Sequence, residues 1–171
     1  MATADIGGEL LDELYAIYCA ALEIDPEAER SLAWREDTLP RHASREDFVF
    51  LIARDEDDPV GFAYGYTGSY GQWWTDRVAR ALDAPTRAEW LDQPHFEVCE
   101  LHVRPDRQRG GIGRRLLDEL LGAQPHDRAL LTANPAKPQP IPFYRKHGWR
   151  DLGEVRFGEG YPPYVVLGKE L

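Results

Sequence analysis

Six consecutive residues, Gln108-Arg109-Gly110-Gly111-Ile112-Gly113, hold the densest chemical information in the chain. Glycines let a backbone turn so that successive amide N–H groups converge on one point, and they let a ligand approach the main chain closely. A helix starting there adds the free amides of its first turn and the positive end of its dipole. The product is a cradle for a pyrophosphate. A turn that merely closes a strand–helix joint uses the same residues, so the loop alone leaves both readings open. Just ahead of it stand two carboxylates, Glu97 and Glu100, and an imidazole, His102. A positioned group of either kind can take a proton from a reacting atom, for about 10²–10⁴-fold in rate. On an extended strand Glu97 faces one way and Glu100 with His102 the other. Each also has an ordinary use, as a solvated or ion-paired carboxylate or as a hydrogen-bonded structural histidine.

Two commoner phosphate loops are excluded. A Walker-type loop needs Gly-Lys-Ser/Thr, but Gly113 is followed by Arg114 and Arg115. A Rossmann fingerprint needs a glycine where Leu116 stands, and an acid closing the next strand where Ala133-Asn134 stands. The elements that position the loop are plain. Residues 97–103 are rich in β-formers, and Glu97, Cys99, Leu101 and Val103 share one face at the two-residue period. Pro105 has no amide donor and ends the strand. Beyond the loop, Gly113, Leu116, Leu117, Leu120 and Leu121 form one apolar helical stripe, with Arg114/Asp118 and Arg115/Glu119 four apart on the wet face.

The rest of the chain surrounds that unit. Leu10, Leu11, Leu14, Tyr15, Tyr18 and Leu22 predict a helix near residues 8–22. Asp25-Pro26 has the form of an N-cap with proline at the first helical position, predicting a second, shorter helix. Residues 48–53 are a buried strand, 55–59 a charged turn and 60–66 its hairpin partner, where Gly61 and Gly65 mark a bulge or a close backbone approach. Residues 67–95 are the least regular segment and hold Tyr70, Trp73, Trp74 and Trp90. Thr86-Arg-Ala-Glu89 is a capping-box pattern, predicting a short helix that ends near Leu91. The clustered rings cap the core, line a pocket whose ring faces favour a cationic amine, or meet a second copy of the chain in a homodimer. Residues 129–133 read as a buried strand parallel to the previous one, because a helix lies between them. Prolines at 135, 138, 140 and 142 leave room only for a short helix from about Pro142 to His147, closed by Gly148. Residues 153–157 and 164–167 supply a closing antiparallel pair.

Composition narrows the class. At 171 residues, 43% hydrophobic and 29% charged, the chain is expected to form one globular domain. Its net charge of -10, from 20 basic and 30 acidic side chains, repels nucleic acid and anionic membrane and attracts a cationic small molecule or basic peptide. Cys19, on a helix face, and Cys99, in a buried strand, offer neither zinc spacing nor a disulfide framework. His42, His95, His102, His126 and His147 show no paired-ligand spacing, so no metal is expected, and no Gly-x-Ser-x-Gly elbow anchors serine chemistry. Met1-Ala-Thr-Ala-Asp5 lacks the regions of a signal peptide and no run reaches membrane-spanning length, so a soluble cytoplasmic chain is expected.

Gln108-x-x-Gly111-x-Gly113, preceded by Leu101-x-Val103-x-Pro105, resembles the acetyl-CoA signature of the GNAT superfamily of N-acetyltransferases. Downstream, Phe143-Tyr144-Arg145-Lys146-His147-Gly148-Trp149 resembles the same superfamily's later motif. The likeness is good over residues 96–150 and loose over the first third. It implies an α/β fold built on a single mixed sheet, mostly antiparallel, with a parallel central strand pair splayed apart, flanking helices, and a first strand that is short or missing here. The single domain would then comprise an acceptor-side part (1–95), an acetyl-CoA-binding core (96–150) and closing strands (151–171).

The resemblance also implies acetyl-CoA as co-substrate and direct attack by a primary amine, on a small molecule or a peptide, in a ternary complex. Glu97 corresponds to the position of the family's frequent base, and Glu100 is a second carboxylate position. Tyr144 corresponds to the acid that protonates the departing thiolate. Backbone amides around Leu101, His102 and Val103 would meet the thioester carbonyl, and Gln108, Arg109, Gly110, Gly111, Ile112, Gly113 and Arg114 the phosphates, with Arg107 and Arg115 as further cations. The family often has an asparagine seven residues before the tyrosine; Asn134 lies ten before it, with prolines between. Tyr70, Trp73 and Trp74 are the candidate acceptor-binding rings. A CoA- or acyl-CoA-binding module without turnover, and a transferase of a longer acyl group, use the same cradle.

Overall fold

Apolar side chains recurring every three to four residues need a partner surface, and helix α1 forms over Gly8–Leu22 with Leu14, Ile17 and Tyr18 buried. The computed structural model describes residues 6–160 and 162–171; the reading of Met1-Ala-Thr-Ala-Asp5 falls outside the described residues. Glu23 ends α1 in the left-handed conformation, its N–H returning to the Ala20 and Cys19 carbonyls. The second helix starts later than Asp25-Pro26 suggests. Asp25 accepts from the Glu27 N–H at 2.9 Å, a local turn that competes with helix, so α2 begins only at Glu29–Ala33. A five-residue π-helical segment, Trp34–Thr38, follows and runs into α3, Leu39–Ala43.

Two compact units divide the chain: Met1–Tyr66 with Val98–Gln124, and Thr67–Glu97 with Pro125–Leu171. The first unit contains α1–α3, and strand β1, Val49–Asp55, pairs antiparallel with β2, Asp58–Gly68. Among the described residues the chain opens on α1 with no strand before it, and β1 follows the helices. Glu56 takes a left-handed φ of 55° in the hairpin turn, which is tighter than the predicted one: Pro59 already belongs to β2. The register steps from Ala53↔Gly61 to Arg54↔Pro59, so the bulged residue is Val60 of β2, next to Gly61. Gly61 marks the close approach instead, since a Cβ there would stand 2.8 Å from the His102 carbonyl oxygen. The unit's core gathers Leu14, Tyr18, Trp34, Phe62 and Tyr64. Cys19 is buried, while Cys99 is only half-buried, against expectation.

In the second unit, residues 67–95 are not irregular. They contain α4, Trp73–Ala81, and α5, Ala84–Leu91. Trp74, Val78 and Leu82 stand four apart and are buried as one face, a stripe masked by the polar residues between them. The N-cap of α5 is Asp83, not Thr86; its carboxylate accepts from the Thr86 N–H at 2.9 Å, with Pro85 in the first turn. Strand β3, His95–Val103, starts in this unit, and β4, Arg128–Ala133, lies parallel to it. Their register joins only Phe96 to Ala129 and Glu97 to Leu130. Helix α7, Pro140–Lys146, begins earlier than predicted because proline is tolerated in a first turn. The closing strands are β5, Arg150–Val155, and β6, Tyr164–Glu170, with β6 antiparallel to both β4 and β5. Strand order across the mixed sheet is β1-β2-β3-β4-β6-β5. Trp90, Leu91, Leu130 and Val166 centre this unit's core. Among the described residues no helix is long and apolar enough to cross a membrane.

His95 is fully buried beside Gly68, where a Cβ would fall 2.4 Å from its Nε2. Gly68→Ala should therefore destabilise the chain by about 1–3 kcal/mol, read as a lower urea midpoint. Burial pushes the His95 pKa down to about 4. A group neutral in the fold but protonated when unfolded stabilises fully above its unfolded pKa of about 6.5. Stability should fall as pH drops from there towards about 4, and His95→Leu should flatten that descent in urea titrations.

Candidate active site

Where β3 runs out, the main chain is pinned on both sides. The Arg104 N–H donates to the Val60 carbonyl at 2.9 Å, and its guanidinium reaches Asp106 at 2.7 Å and Asp58 at 2.8 Å. A single 3₁₀ turn, Pro105–Arg107, follows. The Gln108 side-chain amide then reaches back to donate to the Val103 carbonyl at 3.0 Å, tying the loop to the strand end. Arg109 and Gly111 both take left-handed φ values, 66° and 83°. That double reversal delivers Gly111 as N-cap of α6, Ile112–Gly122.

Gly111 has no side chain, so nothing caps the helix. The first-turn N–H groups of Ile112, Gly113 and Arg114 have no intrahelical acceptor, the arrangement that makes a helix N-terminus able to bind an anion. A Cβ on Gly111 would meet no atom within 4 Å, and one on Gly110 would meet the Arg107 carbonyl only at 3.8 Å. Packing does not demand these glycines; at Gly111 the left-handed backbone does favour one. Among the cations, Arg107 pairs with Asp55 at 2.7 Å and Arg114 with Asp118 at 3.3 Å. Among the described residues Arg115 and Glu119 form no ion pair with each other, and both line a cleft of about 360 Å³ with Ile52, Val60, Ile112 and Leu116.

The two carboxylates have different surroundings. Glu97 is 4% exposed, in register with Leu130. Glu100 is half-buried and its Oε2 lies 2.6 Å from His102 Nε2. The His102 ring meets Tyr18 edge-on at 5.3 Å and Phe62 at 5.4 Å. Burial pushes the Tyr18 and Tyr64 phenols above their usual range, so both stay neutral. The Tyr64 hydroxyl accepts from Trp34 Nε1 at 3.2 Å and lies 3.3 Å from His42 Nδ1. Burial, reinforced by Arg41 and Arg45, lowers the His42 pKa to about 4. Sequence reasoning missed this aromatic set; the only advance signal was the ring count on β1, β2 and α1.

Tyr144 sits on α7 in the second unit, half-buried, its ring against Phe143 at 5.2 Å and Trp149 at 5.5 Å. Asn134 turns inward on its own loop: its side-chain oxygen accepts from the Ala136 N–H at 2.9 Å. The predicted ring cluster comes apart. Trp74 is a core residue whose Nε1 donates to Thr132 Oγ1 at 3.3 Å. Trp73 is exposed and lies between Phe157 at 5.3 Å and the Arg77 guanidinium at 5.2 Å, so a cation already covers it. Tyr70 is exposed and donates to Asp92 at 3.1 Å.

The model of the GNAT acetyltransferase domain matches residues 46–151. The chain belongs to the GNAT acetyltransferase family. The matched span runs from just ahead of β1 into β5 and includes the glycine loop, both carboxylates and Tyr144. This GNAT chain is 33% identical over 120 residues to a GCN5-like protein acetyltransferase of Mycobacterium tuberculosis, over 66% of its own length and 58% of that protein's. It thus spans 58% of the length of the curated relative it matches. Its fold is similar to the crystal structure of a Pyrococcus horikoshii protein, with a TM-score of 0.71, 17% identity, and coverage of 100% and 96% of the two chains. It is also similar to an aminoglycoside 6'-N-acetyltransferase solved with coenzyme A, with a TM-score of 0.62, 16% identity, and coverage of 98% and 93%.

Proposed function

We propose that the chain moves an acetyl group from acetyl-CoA to a primary amine by direct attack in a ternary complex. The observation that carries this reading is the uncapped start of α6 at Gly111, in a chain of the GNAT family. The N–H groups of Ile112, Gly113 and Arg114 hold the pyrophosphate, and Gln108 keeps the loop in place through Val103. Acetyl-CoA supplies the acyl group activated as a thioester. The Leu101 and Val103 amides take the negative charge that develops on the carbonyl oxygen, in support of which the β3–β4 register stops at Glu97.

An amine attacks only when neutral. A lysine-like amine is protonated at pH 7, and its neutral form costs about 4.6 kcal/mol. A carboxylate on β3, Glu97 or Glu100, accepts that proton while the nitrogen lone pair forms the C–N bond. The Tyr144 phenol gives its proton to the departing sulfur as the C–S bond breaks; its contacts with Phe143 and Trp149 hold the ring on α7. The net charge of -10 favours a cationic acceptor, either a small molecule or a basic peptide.

Release of free thiol from acetyl-CoA across a panel of amines tests the reading. Tight binding with no release over the whole panel would replace it with a sensing or sequestering module, and preference for a longer acyl-CoA would replace the acetyl donor. Gly111→Leu should weaken CoA binding by about tenfold or more, about 1.4 kcal/mol per tenfold, while circular dichroism shows the fold retained. Tyr144→Phe should lower kcat by about 10²-fold without weakening CoA binding; an unchanged rate removes the acid role.

A further inference from the structure

Glu100 and His102 stand two residues apart on one face of β3, and their side chains meet at 2.6 Å, the distance of a strong, charge-assisted hydrogen bond. His102 is 8% exposed and wedged between Tyr18 of α1 and Phe62 of β2. Its main chain is held as tightly, because Gly61 lets β2 close on the His102 carbonyl to a distance that a Cβ would block. An imidazole fixed in this way fixes whatever it holds. The Glu100 side chain keeps 23% of its surface exposed, so one oxygen is tied inward and the carboxylate remains reachable.

We propose that Glu100 and His102 form one proton-accepting unit, with Glu100 Oε1 receiving the proton of the acceptor ammonium and His102 positioning the carboxylate. The proposal rests on the acetyltransferase reading above and assigns the base that reading leaves between two residues. Glu97 is far less accessible than Glu100, at 4% exposure, and an acceptor must reach its base. Facing a carboxylate, Nε2 carries the ring hydrogen and donates it to Oε2. As the acceptor N–H bond breaks, its electron pair stays on nitrogen for the new C–N bond and the proton passes to Oε1, which later returns it to water. Among the neighbouring titratable groups, the phenols of Tyr18 on α1 and Tyr64 on β2 are kept neutral by burial, so neither adds a charge to the pair, while the Arg30 guanidinium acts on Tyr18 and Cys99 stands beside Tyr64. Gln108 begins the glycine loop six residues after His102 and is hydrogen-bonded to the adjacent Val103, so the dyad and the cradle share one rigid segment.

The test compares His102→Leu, which removes the donor, with His102→Gln, which restores an N–H, both against Glu100→Gln, by thiol release from acetyl-CoA. His102→Leu should lower kcat about 10²-fold with acceptor KM and acetyl-CoA affinity unchanged, and His102→Gln should recover most of that loss. In the Glu100→Gln background the His102 substitutions should cost nothing further, since residues acting as a unit are non-additive. Equal losses for Leu and Gln, wild-type rates in His102→Leu, or losses that multiply in the double variant would each overturn the dyad. Should His102→Leu fail to fold, His102→Phe, which keeps a ring against Tyr18 and Phe62 but has no N–H to donate, takes its place in the cycle with Glu100→Gln. No thiol release by the wild-type chain would overturn the acetyltransferase reading and the dyad with it; release that is indifferent to His102 overturns the dyad alone.

Discussion

A helix that starts without a cap leaves its first amides in search of an acceptor, and this constraint governs the centre of the chain. Most helices satisfy one of those donors with a Ser, Thr, Asp or Asn side chain. At α6 the N-cap is Gly111, turned to a φ of 83° and bare of side chain. The strand before it is anchored through Arg104 to both Asp58 and Asp106, and Gln108 ties the loop to Val103. The result is a rigid joint with an unsatisfied end. Such an end is stabilised when water or a ligand reaches it, and a Cβ on Gly111 would meet no atom within 4 Å.

The first unit builds its aromatic core directly behind this joint. Tyr18 and Trp34 stack at 4.3 Å, and Phe62, Tyr64 and His102 continue the packing towards β3. Close-packed rings leave His102 little rotational freedom, and through one hydrogen bond they orient Glu100. The π-helical segment Trp34–Thr38 matters here, because Trp34 at its start lies over both Tyr18 and Phe62. Segments of that kind are uncommon and recur at functional sites. Hydrophobic packing and the proposed proton chemistry thus meet on the same strand.

The acidic surface and the aromatic residues of the second unit look at first like one acceptor-recruiting device. The structure separates them. Trp74 packs inward because its helical face is shared with Val78 and Leu82, while Trp73 turns outward and is covered by Arg77. Recruitment of the proposed cationic acceptor would therefore rest on long-range attraction by the net charge rather than on a ring cage among these residues.

Local patterns in the sequence were enough to determine α1, the β1–β2 hairpin, and the strand–glycine loop–helix unit, because their two- and 3.6-residue periods and their glycine and proline punctuation act within a few residues. The GNAT signature was legible for the same reason: a phosphate-gripping turn is a local structure. Only tertiary structure decided the rest. The α4 helix hid in a polar stretch because burial of Trp74, Val78 and Leu82 against other elements, not propensity, stabilises it. Asn134 had the right residue type, yet it spends its side-chain oxygen on its own turn. The difference between Glu97 and Glu100 could not be read from β-strand alternation, which assigns faces but not what covers them. Alternation put Glu100 and His102 on one face; packing from α1 and β2 decides what encloses that imidazole, and Glu97 lies buried in register with β4.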